Sequence, residues 1–215
     1  MAHPDAAVRF YDRFAPRYDR SFQFYLRPSY NLALEALDPN PGERLLDIGA
    51  GTGELELRLC RRVPDLHLVA IEPARGMADL ARTKLQSAGC PAQVLDGPFE
   101  SQDPTTLGTF DWIVACNVLH FLGDPPAAIA RWSQALKPGG HLVIVTLDGG
   151  LLPIRLAQPV LRSAIGGFTG AHRLAEVEDY VRGAGLAVNL AERRRFSPAV
   201  GALLVRGKRD MPVGA

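Results

Sequence analysis

Short apolar runs alternate along this chain with longer stretches whose apolar positions recur every third or fourth residue. Arg44–Ile48, Leu66–Ile71, Ala92–Leu95, Phe110–Cys116 and His141–Leu147 are short and rich in Val, Ile and Leu, the pattern of strands buried on both faces. Between them, Glu54–Val63 carries Leu55, Leu59 and Val63 on one helical stripe, and Met77–Ala88 is a second helix ended by Gly89. Pro125–Leu136 opens with two prolines in its first turn, and Leu174–Ala184 is closed by Gly185. Val8–Leu37 predicts two helices that break, or restart, at Pro28. Asn40–Gly42 and Lys137–Gly140 are turns, and Leu186–Arg195 and Val200–Arg206 are two final strands that a hairpin through Phe196–Ala199 can join. Strand and helix in alternation predict an α/β fold around a doubly wound, mostly parallel sheet. The organisation expected is a single domain over residues 1–215. It has an N-terminal helical segment over 1–40 and an apolar, Gly- and Pro-rich lid with a short helix over 149–172.

Charge and composition narrow the function. The net charge of +1 supplies no field for nucleic acid, so none is expected as a partner. Arg193, Arg194 and Arg195 fall in a row on a strand, must alternate between its faces, and read as a solvated edge. Cys60, Cys90 and Cys116 are far apart and lack metal spacing, which predicts reduced, mostly buried thiols and no metal site. No apolar run approaches a membrane span, and the first residues lack the apolar core of a leader peptide. A cytoplasmic location is the expectation.

The chemistry concentrates after the first strand. Leu45–Ile48 runs into Gly49-Ala50-Gly51-Thr52-Gly53, and a helix follows. Alternate glycines permit a tight turn and let a ligand approach the backbone, while the helix start offers free N–H groups. Glu72, at the end of the second strand and followed by Pro73, is an acid placed to accept hydrogen bonds from both hydroxyls of a ribose. The loop departs from the dinucleotide pattern Gly-x-Gly-x-x-Gly. Its third glycine comes one residue early, and Glu54 stands where a pyrophosphate would approach. A ligand without phosphates suits it better.

In this arrangement Asp47–Gly53 resembles the first motif of the class I S-adenosylmethionine-dependent methyltransferases, and the likeness extends in order from Leu45 to Leu147. The resemblance implies a Rossmann-like, seven-stranded, mostly parallel sheet with an antiparallel C-terminal strand, and S-adenosyl-L-methionine as cofactor. It implies that Gly49, Gly51 and Gly53 line the methionine and ribose part, with Asp47 below the ammonium group. Glu72 with Pro73 resembles the ribose-binding motif, Met77 the apolar residue beside the adenine, and Asp96-Gly97 the adenine-edge motif. Pro98 departs from that last motif because it has no N–H, which shares the adenine contact among Asp96, Gly97 and Phe99. Asn117 through His120 would lie beside the reacting methyl group. Phe10–Asp19 is similar to the leading helix of quinone-ring C-methyltransferases and phospholipid N-methyltransferases, in which an aromatic at the position of Tyr18 closes over the cofactor. An aromatic face attracts a sulfonium cation.

A sulfonium is already an activated donor, so alignment and exclusion of water are the protein's main tasks. A nitrogen acceptor needs only a free lone pair, whereas an oxygen or carbon acid needs a base. His120 is the first candidate for that base and His172 the second. Phe22–Tyr30 and Leu151–His172 are the segments expected to form the acceptor pocket, with 149–172 as the lid over it; both are apolar with scattered arginines, which predicts a small hydrophobic acceptor, such as a lipid, quinone or natural product. The same content is compatible with transient contact at a membrane surface. The alternatives are a cofactor-binding protein that transfers no methyl group and a nicotinamide-dependent oxidoreductase. The oligomeric state is left open.

Overall fold

The computed structural model of the chain describes residues 4–211, so the outermost residues of the 1–40 segment and of the C-terminus lie outside the described residues. Seven strands form one sheet: β1 (Arg44–Ile48), β2 (His67–Glu72), β3 (Gln93–Asp96), β4 (Phe110–Cys116), β5 (Leu136–Leu147), β6 (Leu186–Arg195) and β7 (Gly201–Arg209). Their order is β3-β2-β1-β4-β5-β7-β6. β1 to β5 are parallel, and β7 alone runs antiparallel to both its neighbours, β5 and β6.

The helices are α1 (Pro4–Phe14), α2 (Tyr18–Ala36), α3 (Glu54–Arg62), α4 (Arg75–Ser87), α5 (Pro104–Leu107), α6 (Pro125–Gln134), α7 (Leu152–Ala164) and α8 (Leu174–Gly183). They form a layer on each side of the sheet, and the strands show why. Along β4, Trp112, Val114 and Cys116 point into one core with Leu32, Leu55 and Leu59 of α2 and α3. Ile113 and Ala115 point into the other, with Ile129 and Trp132 of α6 and Val177 of α8. Side chains alternate across a strand, so a strand covered on both faces must be apolar at every position. Removing one of these buried Leu or Ile side chains to Ala costs about 2–5 kcal/mol. α6 begins where the Asp124 carboxylate accepts a hydrogen bond from Ala127 N at 3.1 Å, with Pro125 at the first helical position.

Four expectations are corrected. The break between the first two helices lies at a short 3-10 turn, Ala15–Arg17, that contains Pro16, while Pro28 sits inside α2. Pro28 has no N–H to donate to Phe24 O, and Phe24 lies on the exposed face of α2, where losing that bond costs less than in the core. The short helix of the 149–172 segment is the full α7, thirteen residues long. Strand β5 starts at Leu136 rather than His141, so the Lys137–Gly140 turn is part of it. Finally, Cys60 and Cys90 are paired as a disulfide with Cα atoms 5.9 Å apart, because α3 and α4 pack side by side; only Cys116 is free, and it is buried. Among the described residues no group of three or more ligating side chains could hold a metal, and no helix is long and apolar enough to cross a membrane.

Candidate functional site

The strand order reverses between β1 and β4, where a crevice opens at the carboxyl ends of the parallel strands. A cavity of about 760 Å³ occupies that place. Its floor is the loop after β1, where Gly49, Gly51 and Gly53 all have positive φ, between 59° and 79°. Only glycine adopts that backbone cheaply. Gly49 N and Ala50 N both donate to Ile71 O of β2, at 2.8 and 3.1 Å, which holds the loop against the neighbouring strand.

Glu72 ties the floor together. Its Oε2 accepts from Gly51 N and its Oε1 from Ala74 N, each at 2.8 Å. Burial pushes its carboxyl up to about 7, against the lowering effect of those two N–H donors. Each oxygen keeps a further lone pair for a ligand hydroxyl.

Beneath the loop, Asp47 and Glu56 bring their carboxyls together within hydrogen-bonding reach. Asp47 Oδ1 and both Glu56 carboxylate oxygens have no donor among the described residues, and both side chains are buried. Burial, and then the Glu56 charge, hold Asp47 well above the usual carboxylate range, and burial pushes Glu56 up to about 7. Two facing buried carboxyls do not ionise together, so the pair retains a proton. The nearest cation, Lys84, is engaged at the rim by Asp19 (2.9 Å) and Thr52 (3.0 Å), with Glu54 at 3.6 Å. The cavity therefore rests on two buried acids, Asp47 and Glu72, with Glu56 behind Asp47, and its electrostatics suit a cation.

Aromatic rings wall the other side. Tyr11 meets Tyr18 edge-on at 5.5 Å and Phe121 at 5.3 Å, and Tyr18 stands against Phe22 at 5.6 Å. A Cβ at Gly51 would find only Tyr18 Cε1, at 3.9 Å, so the Tyr18 ring faces the glycine loop across open space. Asn117, at the end of β4, has φ of 64°; its Oδ1 accepts from the Tyr25 hydroxyl at 2.7 Å and its amide nitrogen is unpartnered. Burial raises the Tyr18 and Tyr25 hydroxyls well above their ordinary range, so both remain neutral donors.

Of the residues singled out in the sequence, Tyr18, Asp47, Gly49, Gly51, Glu72, Pro73, Met77 and Asn117 line this one cavity. Gly53, Asp96, Gly97 and Phe99 do not. Gly53 starts α3, where a Cβ would come within 3.1 Å of Ala81 Cα in α4. Asp96 turns outward to Arg82 at 2.7 Å, Gly97 N donates to Glu72 O at 3.2 Å, and Phe99 is half-buried against the core that contains Ile71 and Ile113. Pro98, between them, reaches the cavity instead. His120 and His172 stand behind the wall. His120 Nδ1 lies 3.2 Å from Thr146 Oγ1, with Phe121 and Phe168 against its ring, and His172 Nε2 lies 3.4 Å from Leu119 O. Burial, and secondarily His172, lower His120 to about 3, which makes it a weak base. Tyr30, at the end of the Phe22–Tyr30 segment, lines the cavity, whereas no residue of Leu151–His172 does; Glu56 and Phe121 were not foreseen from the sequence. Glu56 gave one signal, an acid beside the apolar stripe of α3, where charge is rare unless it has a task.

Comparison with known proteins gives the same frame. Residues 46–142 match the methyltransferase domain family. An uncharacterized methyltransferase of Geobacillus kaustophilus is 33% identical over 141 residues, 62% of this chain and 63% of that protein. Nocamycin O-methyltransferase of Saccharothrix syringae is 31% identical over 61% of this chain and 48% of its own length. The chain thus spans less than two thirds of the length of these curated relatives. In fold, the chain is similar to an S-adenosylmethionine-dependent methyltransferase from Thermotoga maritima, with a TM-score of 0.72 at 22% identity over 95% of this chain and 100% of that one.

Proposed function

We propose that this chain, which matches the methyltransferase domain family over residues 46–142 and has the fold of an S-adenosylmethionine-dependent methyltransferase, is a class I methyltransferase whose cavity binds S-adenosylmethionine and directs methyl transfer, by in-line displacement, to a small apolar acceptor. The observation that carries the reading is the pair of buried acids lining the cavity under a glycine loop, Asp47 and Glu72, with Glu56 buried behind Asp47 and no donor on Asp47 Oδ1. Buried charge without a partner is costly, so such a floor favours a ligand that brings cationic groups. The same acids repel a pyrophosphate, which weighs against a nicotinamide dinucleotide.

The residues fit the cofactor. When bound, it supplies a methyl group already activated on a sulfonium. The free lone pairs of Glu72 would accept from the ribose hydroxyls, and Gly49 and Gly51 would leave room for the ligand against the backbone. Asp47, backed by Glu56, would hold the ammonium end. Met77, buried against Tyr11 and Tyr18, offers an apolar surface to the adenine. The Tyr18 ring, which faces Gly51 across the cavity, would shield a bound sulfonium from water. Asn117, fixed by the Tyr25 hydroxyl, orients the acceptor side with its free amide. The aromatic wall favours an apolar acceptor, and alignment is the main catalytic contribution.

The test is incubation of the protein with a tritium-labelled methyl donor and panels of apolar phenols, quinones, amines and lipids. Label that moves into the organic phase, and fails to do so with Gly51→Arg, supports the reading. Label that moves only to polar, water-retained acceptors overturns the acceptor class.

A further inference from the structure

Three of the large apolar side chains exposed on the described surface lie on one helix: Leu152 at 61%, Leu156 at 72% and Val160 at 67%. They stand four residues apart on α7, so they form one ridge, and Ala164 continues it. The helix buries only Ile154. An amphipathic helix normally turns its apolar stripe to the core; here the stripe faces out. The surroundings are basic. From Gly149 to Arg173 there is no Asp or Glu, and Arg155, Arg162 and Arg173 are exposed. Where the ridge ends, Ser163, Ala164 and Gly166 share a surface depression with Phe10 and Phe14 of α1, and its only charged lining residues are Arg9 and Arg13.

We propose that α7, with the basic end of α1, docks on an anionic lipid bilayer, the ridge of Leu152, Leu156 and Val160 entering the acyl boundary while Arg155, Arg162, Arg9 and Arg13 meet the headgroups. The arrangement is that of an interfacial helix, with an apolar ridge and Arg155 and Arg162 along one flank of it. A second copy of the chain fits less well, because pairing two ridges sets arginines against arginines. A convex, isolated ridge also fits a deformable bilayer better than a rigid protein surface. This docking does not depend on what the cavity binds.

The experiment is co-sedimentation of the full chain with vesicles of phosphatidylcholine, with and without phosphatidylglycerol. The wild type is expected on the anionic vesicles, about tenfold or more above the neutral ones, with binding that fades as salt rises. Arg155→Glu changes the charge by two and should lower partition about 25-fold, at roughly fivefold per charge. Leu156→Ser with Val160→Ser, checked for folding by circular dichroism, should lower it by about tenfold or more. The salt series on the wild type needs no variant, so the proposal stays testable if a variant misfolds. Absence of binding to anionic vesicles, binding indifferent to salt, or unchanged binding of the folded double variant each overturns the proposal. So does a dimer in light scattering that Leu156→Ser dissolves, or retention on polyglutamate without vesicle binding.

Discussion

Replacing Glu56 with Gln should make the protein more stable, and only where the pH is high enough. Glu56 is fully buried, faces Asp47, and has no donor on either oxygen. Burial raises its carboxyl from 4.5 to about 7. A raised value means that the native state holds the proton more tightly than the unfolded chain does. Stability from this group is complete below about pH 4.5 and is lost as pH rises through about 7. At about 1.4 kcal/mol per unit, the loss amounts to about 3 kcal/mol at alkaline pH. Gln carries no charge and its amide can donate to Asp47, so the variant escapes that loss. For a chain of this size, about 3 kcal/mol corresponds to a rise of roughly 6–12 °C in Tm. Thermal melts of the unliganded protein at about pH 8 should show that rise, and melts at about pH 5 should show little difference. A Glu56→Gln variant that loses stability equally at both pH values would refute the reasoning, because it would mean the carboxylate is satisfied by donors that Gln cannot replace. The same variant should bind the cofactor more weakly. Natural sequences retain such a strained acid where function uses it.

Other outcomes follow from the same geometry. Gly53→Ala should cost about 2–3 kcal/mol in denaturant melts, from its left-handed backbone and the approach to Ala81 Cα; Gly89→Ala, with similar φ and open space, should cost about 1 kcal/mol. Equal losses would remove the helix contact from the account. His120 is held near 3, below its ordinary 6.5, so its contribution is present above about pH 6.5 and is lost as pH falls towards 3. His120→Gln should therefore shift the acid-unfolding midpoint downward, and an unchanged midpoint counts against burial as the cause. Tyr18→Ala should weaken cofactor binding about tenfold in equilibrium dialysis while Tyr18→Phe leaves it nearly intact, since the ring face carries the attraction. Equal weakening by both would assign the role to the hydroxyl.

The sheet was legible because its central strands are buried on both faces and so appear as unbroken apolar runs; Ile113 and Val114 serve opposite cores yet look alike in sequence. The cavity floor was legible because a turn with three positive φ values needs glycine, and glycine is visible. Pro28 misled because its cost depends on whether Phe24 lies on an exposed face of α2, a tertiary fact. Glu56 went unread because an acid on a helix normally reads as solvated. The Cys60–Cys90 pair joins residues 30 apart that only the packing of α3 on α4 brings together. The outward stripe of α7 was the least legible feature, since its periodicity is the same whichever way it faces.

The central claim is that the cavity floored by Asp47 and Glu72 holds S-adenosylmethionine. Titration calorimetry of the purified protein with S-adenosylmethionine, S-adenosylhomocysteine and NAD tests it most directly. The account predicts micromolar binding of the two sulfur ligands, abolished by Gly51→Arg and weakened about 100-fold by Glu72→Ala, which removes an acceptor of two charge-assisted hydrogen bonds. Binding of NAD with neither sulfur ligand, or sulfur-ligand binding indifferent to both substitutions, would contradict it.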